Sequence, residues 1–152
     1  MLEKYSDLWS EPCSARAITT NGFIKKNGAL VMGRGCAKEA RDMFPGLDLY
    51  LGKIVNQSGN KVHVVQDPSV TDKTSIPLVT FPVKNVWWEQ AIPKLIERSA
   101  GELLIETILR EWKVVVLPRP GCGNGKLSWE TVVRPILSNI LDDRFLVVHN
   151  DL

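Results

Sequence analysis

KVVVLPRPGCGNGKLSWE, Lys113 to Glu130, sets a short β-branched run directly before three glycines and a capping serine. A continuous apolar run of this length reads as a strand covered on both faces. The glycines read as a tight connection in which the backbone can approach a neighbour closely. Ser128 reads as the N-cap of a helix with apolar positions Val132, Val133, Ile136, Leu137 and Ile140. Pro135 lies too deep for a plain helix start, so a kink or a late first turn is expected there. Strand, glycine loop and helix form the repeating unit of parallel α/β sheets.

The same alternation extends outward from this stretch. ARAITTN, Ala15 to Asn21, reads as a buried strand ending near Thr20, and CAKEARDMF after Gly35 as a helix stopped by Pro45-Gly46. NKVHVVQ, Asn60 to Gln66, follows Ser58-Gly59-Asn60 and reads as the second strand of a hairpin with GKIVNQ. IPLVTFP, Ile76 to Pro82, reads as a further strand. Ile92, Leu95, Ile96, Leu103, Leu104 and Ile108 keep helical spacing, with a possible split at Ser99-Ala100-Gly101. RFLVVHN, Arg144 to Asn150, is the last strand. The expected architecture is α/β: a mixed, mostly parallel central sheet covered by helices.

Composition narrows the function classes. The 152 residues fit one domain, and 44% apolar with 24% charged residues is the make-up of a soluble globular protein. A net charge of +2, from 19 basic and 17 acidic side chains, argues against a general nucleic-acid-binding surface. Cys13, Cys36 and Cys122 are odd in number and widely spaced, which fits a reducing cytoplasmic setting rather than a disulfide framework. No apolar run is long enough to span a membrane, and the N-terminus lacks a signal peptide's apolar core. His63 and His149 have no partner at metal-ligand spacing, so neither a metal nor a cofactor is expected.

In parallel sheets the ligand crevice lies beyond the carboxyl ends of the strands. Three loops leave those ends: residues 21–35, 82–88 and 118–126. The last is no Walker A loop, because Pro120 stands where the first glycine is needed and Leu127 where the magnesium-binding hydroxyl is needed. The dinucleotide fingerprint fails as well, since Gly121 and Gly123 are followed by Gly125. A plain strand-to-helix turn and a phosphate-binding loop remain as readings. GALVMGRGCAKEA, with Gly28, Gly33 and Gly35 before a helix, supplies a second such loop. Two glycine-rich helix N-termini at one crevice are expected to clamp a pyrophosphate from opposite sides.

TNGFIKKNGALVMGRGCAKEA, FPVKNVWW and LPRPGCGNGKLSWE, in that order, resemble the macrodomains, a family with a three-layer α/β/α fold that binds ADP-ribose. The likeness is greatest to the branch holding terminal ADP-ribose protein glycohydrolase and the antitoxins that remove ADP-ribose from DNA. It also extends to bacteriophage-encoded proteins. It covers nearly the whole chain and implies one macrodomain over residues 1–152, monomeric, with ADP-ribose or ADP-ribosylated protein or DNA as partner.

The resemblance assigns roles residue by residue. Asp7 and Leu8 match the pair that meets the adenine, and Asn21 the polar residue facing the distal ribose. Gly33, Gly35, Cys36 and Ala37 match a phosphate-binding turn. Gly121, Cys122, Gly123, Asn124 and Gly125 match the second loop around the pyrophosphate. Lys84 matches the catalytic lysine of the hydrolase branch. Its apolar neighbours Val83 and Val86 favour a lowered pKa, although a lysine paired with phosphate or solvent fits the residues too. In the terminal glycohydrolase an acid assists the lysine, and here that position is Gly125. The DNA-directed antitoxins resemble GCGNG more closely and keep the lysine. Arg34 and Lys126 read mainly as solvent-facing. Cys122 reads as a small residue in a tight turn, lacking a histidine partner. Trp87 and Trp88 either pack on the following helix or close over ribose or an acceptor base. The implied activity is hydrolysis of an ADP-ribosyl–acceptor bond, with a non-catalytic ADP-ribose-binding module or an ADP-ribose 1″-phosphatase as alternatives.

Overall fold

The computed structural model of the protein describes residues 1–71 and 76–150. Its elements run β1 (Leu2–Tyr5), β2 (Ala15–Thr20), α1 (Gly35–Met43), α2 (Leu47–Ser58), β3 (Val64–Val65), α3 (Pro68–Thr71) and β4 (Leu78–Pro82). Then follow α4 (Pro93–Leu109), β5 (Val115–Pro118), a π-helical turn (Trp129–Val133) continuing into α5 (Arg134–Ser138), and β6 (Phe145–His149). One six-stranded sheet carries the order β1-β6-β5-β2-β4-β3. Every pairing is parallel except β3 with β4.

The strands are covered on both faces, and their residues alternate accordingly. Ala15, Ala17, Val79, Phe81, Val115, Leu117, Phe145 and Val147 join Ile96, Leu103, Val133 and Leu137 of α4, the π turn and α5. Ile18, Leu78, Val116 and Val148 point the other way, into a cluster with Ala37, Ala40, Leu47, Leu51 and Val55 of α1 and α2. The result is three layers, α/β/α, with the sheet in the middle.

The strands expected at Ala15–Thr20, Ile76–Pro82, Lys113–Pro118 and Arg144–Asn150 are present, trimmed by a residue or two at their ends. The expected hairpin is not. GKIVNQ lies in α2, where Leu47, Leu51 and Val55 recur at helical spacing and are buried. Gly59 ends that helix at φ 95°, so the glycine taken as a hairpin turn is a helix terminator. The antiparallel pair instead joins Val64–Val65 to β4. Helix α4 is continuous through Ser99-Ala100-Gly101. Both Ser99 and Ala100 are buried against the sheet, and the Ser99 hydroxyl donates to the Pro82 carbonyl at 2.7 Å. Pro135 does enter late: Ser128 accepts from the Thr131 amide, and the first turn is π-helical before α5 begins.

Candidate active site

The connections after β2 and β5 leave adjacent strands toward opposite faces, since α1 and α2 cover one side and α5 the other. A crevice must open where neighbouring connections part in this way. It has a volume of about 1190 Å³ and lies along the carboxyl ends of the parallel strands. All thirteen residues singled out in the sequence line it: Asp7, Leu8, Asn21, Gly33, Gly35, Cys36, Ala37, Lys84 and the five residues 121–125.

The first glycine loop delivers the N-terminus of α1. Gly35 begins that helix at φ 59°; Arg34, its cap, supplies no side-chain hydrogen bond, and the first turn holds no acidic residue. Its leading amides therefore suit an anion. Asn21 braces the loop from behind, its amide donating to the Val31 carbonyl at 3.0 Å while its carbonyl accepts from the Phe23 N–H at 2.9 Å. The half-buried Cys36 thiol lies 3.4 Å from the Thr19 amide, and desolvation pushes its pKa up. It is a packing group rather than a nucleophile.

The second glycine loop works differently from expectation. It folds on itself, with the Lys126 amide donating to Gly123 and the Leu127 amide to Gly121. The helix beyond is capped by its own Ser128. Only one jaw of the crevice is thus a helix N-terminus; the other is a closed turn. Gly121 takes φ 74°, and Asn124 Nδ2 reaches within 3.8 Å of where a Cβ on Gly35 would sit, which brings the jaws together. A Cβ on Gly125 would lie 2.5 Å from the Gly121 carbonyl oxygen and 2.7 Å from Ala91 Cβ. The packing of the turn therefore leaves no room for an acidic side chain at this position.

Lys84 sits half-buried just past β4. Its ammonium donates to the Trp87 and Glu89 carbonyls, each at 3.2 Å. Its pKa is lowered, first by desolvation and then by the positive charges of Arg34 and Lys126, with Glu89 opposing. Arg34 and Lys126 are exposed and line the same crevice, so they face the lysine as well as solvent. The loop is fastened from outside: Asn60 Nδ2 donates to the Lys84 carbonyl and to Asn85 Oδ1, both at 3.1 Å. Glu89 Oε1 accepts from the Asn85 and Val86 amides.

At the adenine-matching end, Asp7 Oδ2 accepts from the Ser10 hydroxyl at 2.8 Å. The buried Leu8 offers its carbonyl to Arg16. Trp87 and Trp88 are both exposed, in edge-to-face contact with each other, and Trp88 also meets Phe23. Arg119, Glu39 and Glu89 line the crevice without having been picked out in the sequence. Arg119 carried a usable signal, standing just past a strand end, and so did Glu89, next to Trp88 in the Lys84 loop, while Glu39 lies on α1, whose approach to the crevice depends on packing. Among the described residues no cluster of His, Cys, Asp or Glu could hold a metal, and no helix is long and apolar enough to cross a membrane.

Element order, strand order and crevice together define a three-layer α/β/α protein with its open site at the switch point of a mixed sheet. This is the macrodomain fold. The chain superposes on the macrodomain of Thermus aquaticus DarG with a TM-score of 0.78 at 21% identity, covering 99% of this chain and 97% of that one. For the macrodomain of Mycobacterium tuberculosis DarG the TM-score is 0.76 at 22% identity, with 97% of each chain covered. Thermosipho africanus DarTG in complex with ADP-ribose gives 0.77 at 19% identity over 94% of this chain and 40% of that chain. In sequence, 113 residues are 29% identical to the DNA ADP-ribosyl glycohydrolase of Mycobacterium tuberculosis, a match covering 71% of this chain. The chain spans 31% of the length of that relative. No family model matches the chain.

Proposed function

We propose that residues 1–152 act as a single macrodomain that holds ADP-ribose in this crevice and hydrolyses its bond to a DNA base, with Lys84 as the reacting group. The observation that carries the reading is the convergence of both glycine loops and a lysine of lowered pKa on one crevice. The relatives named as DNA ADP-ribosyl glycohydrolases favour a nucleobase over a protein carboxylate as acceptor.

In this reading the N-terminus of α1 and the turn 121–125 take the diphosphate, Asp7 and Leu8 meet the adenine, and Asn21 holds the ribose-facing loop in place. The distal ribose opens as its ring C–O bond breaks, and the ring oxygen takes a proton while C1″ becomes an iminium with the base nitrogen. The neutral Lys84 amine forms a bond to C1″, and the base departs with a proton. Water then adds to the lysine imine, returning the amine and releasing the aldehyde form of ADP-ribose, which closes to the ring. The net reaction consumes one water. No side chain at position 125 assists, so the protons pass through water or the substrate.

The test uses a single-stranded oligonucleotide carrying one ADP-ribosylated base. The wild type releases ADP-ribose, and Lys84→Ala does so about 10²- to 10⁴-fold more slowly, the span removal of a positioned proton-transfer group or nucleophile covers. Equal rates for the two proteins would sink the lysine mechanism. A second reading, a module that binds ADP-ribose without hydrolysing it, is favoured by the crowding that excludes an acid at Gly125. It predicts ADP-ribose binding by calorimetry and no release from any substrate.

A further inference from the structure

We propose that the aromatic group Phe23, Trp87 and Trp88 is the platform on which the acceptor base of single-stranded DNA stacks, and that it selects a nucleobase over other ADP-ribose acceptors. This rests on the functional reading above and adds to it the part of the substrate that lies outside the ADP-ribose crevice.

Trp87 and Trp88 remain 49% and 61% exposed although each touches another ring. Trp87 and Trp88 meet with centroids 5.3 Å apart at 86°, and Phe23 and Trp88 at 5.4 Å and 68°. In an edge-to-face contact only one of the two rings gives up a face, and the exposure of both indoles leaves ring surface open to a ligand. Exposed indoles held in this way lose little rotamer freedom when a flat ligand lands on them.

Their position ties them to the reacting centre. The Trp87 carbonyl accepts from the Lys84 amine at 3.2 Å, so the platform and the lysine share one turn. A group leaving C1″ at Lys84 therefore emerges beside the two indoles. The charge of the surroundings suits a nucleic acid strand. Lys25 and Lys26 are exposed on the loop that carries Phe23, and Arg34 and Lys126 are exposed along the crevice. Glu39 and Glu89 are the carboxylates lining this part of the crevice, and Glu89 is engaged with the Asn85 and Val86 amides. An aromatic face with adjacent cations is the general means of holding single strands, and it tolerates any base. That the whole chain carries only +2 fits a short local contact at one nucleotide rather than a groove along the strand.

The experiment compares Trp88→Ala with Trp88→Phe, each in a Lys84→Ala background that prevents turnover. Two ligands are titrated: free ADP-ribose, and a short single-stranded oligonucleotide bearing one ADP-ribosylated base. Trp88→Ala is expected to weaken the oligonucleotide about tenfold, equivalent to about 1.4 kcal/mol and within the range of one base–aromatic stack, with free ADP-ribose unaffected. Trp88→Phe is expected to recover most of the loss. Equal weakening of both ligands would place the ring over the ribose and overturn the proposal. An unchanged oligonucleotide affinity would overturn it as well. Failure of the Lys84→Ala protein with Trp88 intact to bind free ADP-ribose would instead refute the underlying functional reading, and the platform with it. Because Trp88 lies on the surface, thermal melting within a degree or two of the parent protein is expected, which separates these outcomes from misfolding.

Discussion

Restoring an acid at position 125 should harm the protein rather than improve it. In Gly125→Asp the new Cβ would start 2.5 Å from the Gly121 oxygen, 2.8 Å from its carbonyl carbon and 2.7 Å from Ala91 Cβ. These are backbone and short-side-chain atoms, so relief requires the turn itself to open. Opening strains the Leu127 amide's bond to Gly121 at 2.9 Å and the Ala91 amide's bond to the Gly125 carbonyl at 3.0 Å. Overpacking of this kind costs about 1–3 kcal/mol, which lowers the melting temperature by about 3–10 °C for a domain of this size. Gly123→Ala supplies the control within the same loop: its Cβ would meet no heavy atom within 4 Å, and its φ is not positive. It should melt within about 0.5 kcal/mol of the wild type. The assay is thermal unfolding followed by circular dichroism, paired with ADP-ribose release from the modified oligonucleotide. A Gly125→Asp protein that melts like the wild type, or that turns over faster, would refute the claim that packing excludes the acid.

Other consequences can be read from the same contacts. If neutral Lys84 is the reacting form, kcat/KM rises with pH through an inflection below the ordinary lysine range; Arg34→Gln removes a charge that disfavours the ammonium, so it should move that inflection up, less so at high salt. A downward shift in the pH–rate profile would contradict the assignment. Asn60→Ala deletes the donor to the Lys84 carbonyl and should lower kcat severalfold while calorimetric ADP-ribose affinity stays near wild type. Gly52→Ala would drive a Cβ to within 1.8 Å of the Gly28 carbonyl oxygen, and with α2 and the 22–33 loop pressed together it should lose more than about 3 kcal/mol in chemical denaturation.

The parts of the fold legible in the sequence are those whose signal is local. Val115, Val116 and Leu117 are all fully buried, so an unbroken β-branched run marked β5 correctly. Strand β1 gave no such signal, because all four of its residues are exposed and its place at the sheet edge comes from pairing with β6. Charged Glu3 and Lys4 there suit an edge that must not recruit further strands. The missed helix α2 shows two local rules in conflict: the Leu47, Leu51, Val55 period was visible, yet Ser58-Gly59-Asn60 imitates a hairpin turn. At the crevice, glycine and lysine content pointed to loops that line it. The sequence gives no hint that Asn60 fastens the Lys84 turn, since 24 residues separate the partners. Nor could it tell an absent acid from a forbidden one, a distinction that lies in the distance from Gly125 to Gly121 and Ala91.

The hydrogen bonds around Lys84 bear on how such a lysine can act without an acid at position 125. An ammonium has three donors, and two are taken by the Trp87 and Glu89 carbonyls. When the proton is lost, a neutral amine can keep both bonds, and its lone pair then occupies the third tetrahedral direction. In the proposed mechanism the backbone thus orients the amine without a second side chain, so the turn performs the positioning that a general base often shares with proton removal. What the carbonyls cannot do is take the proton, and they favour the charged form. Desolvation together with Arg34 and Lys126 offsets this preference. The balance depends on the turn keeping its shape, which Asn60, Glu89 and the Gly22 amide bonded to the Asn85 carbonyl at 3.1 Å maintain from three sides. A lysine mechanism at this site therefore requires a rigid turn more than it requires a partner acid.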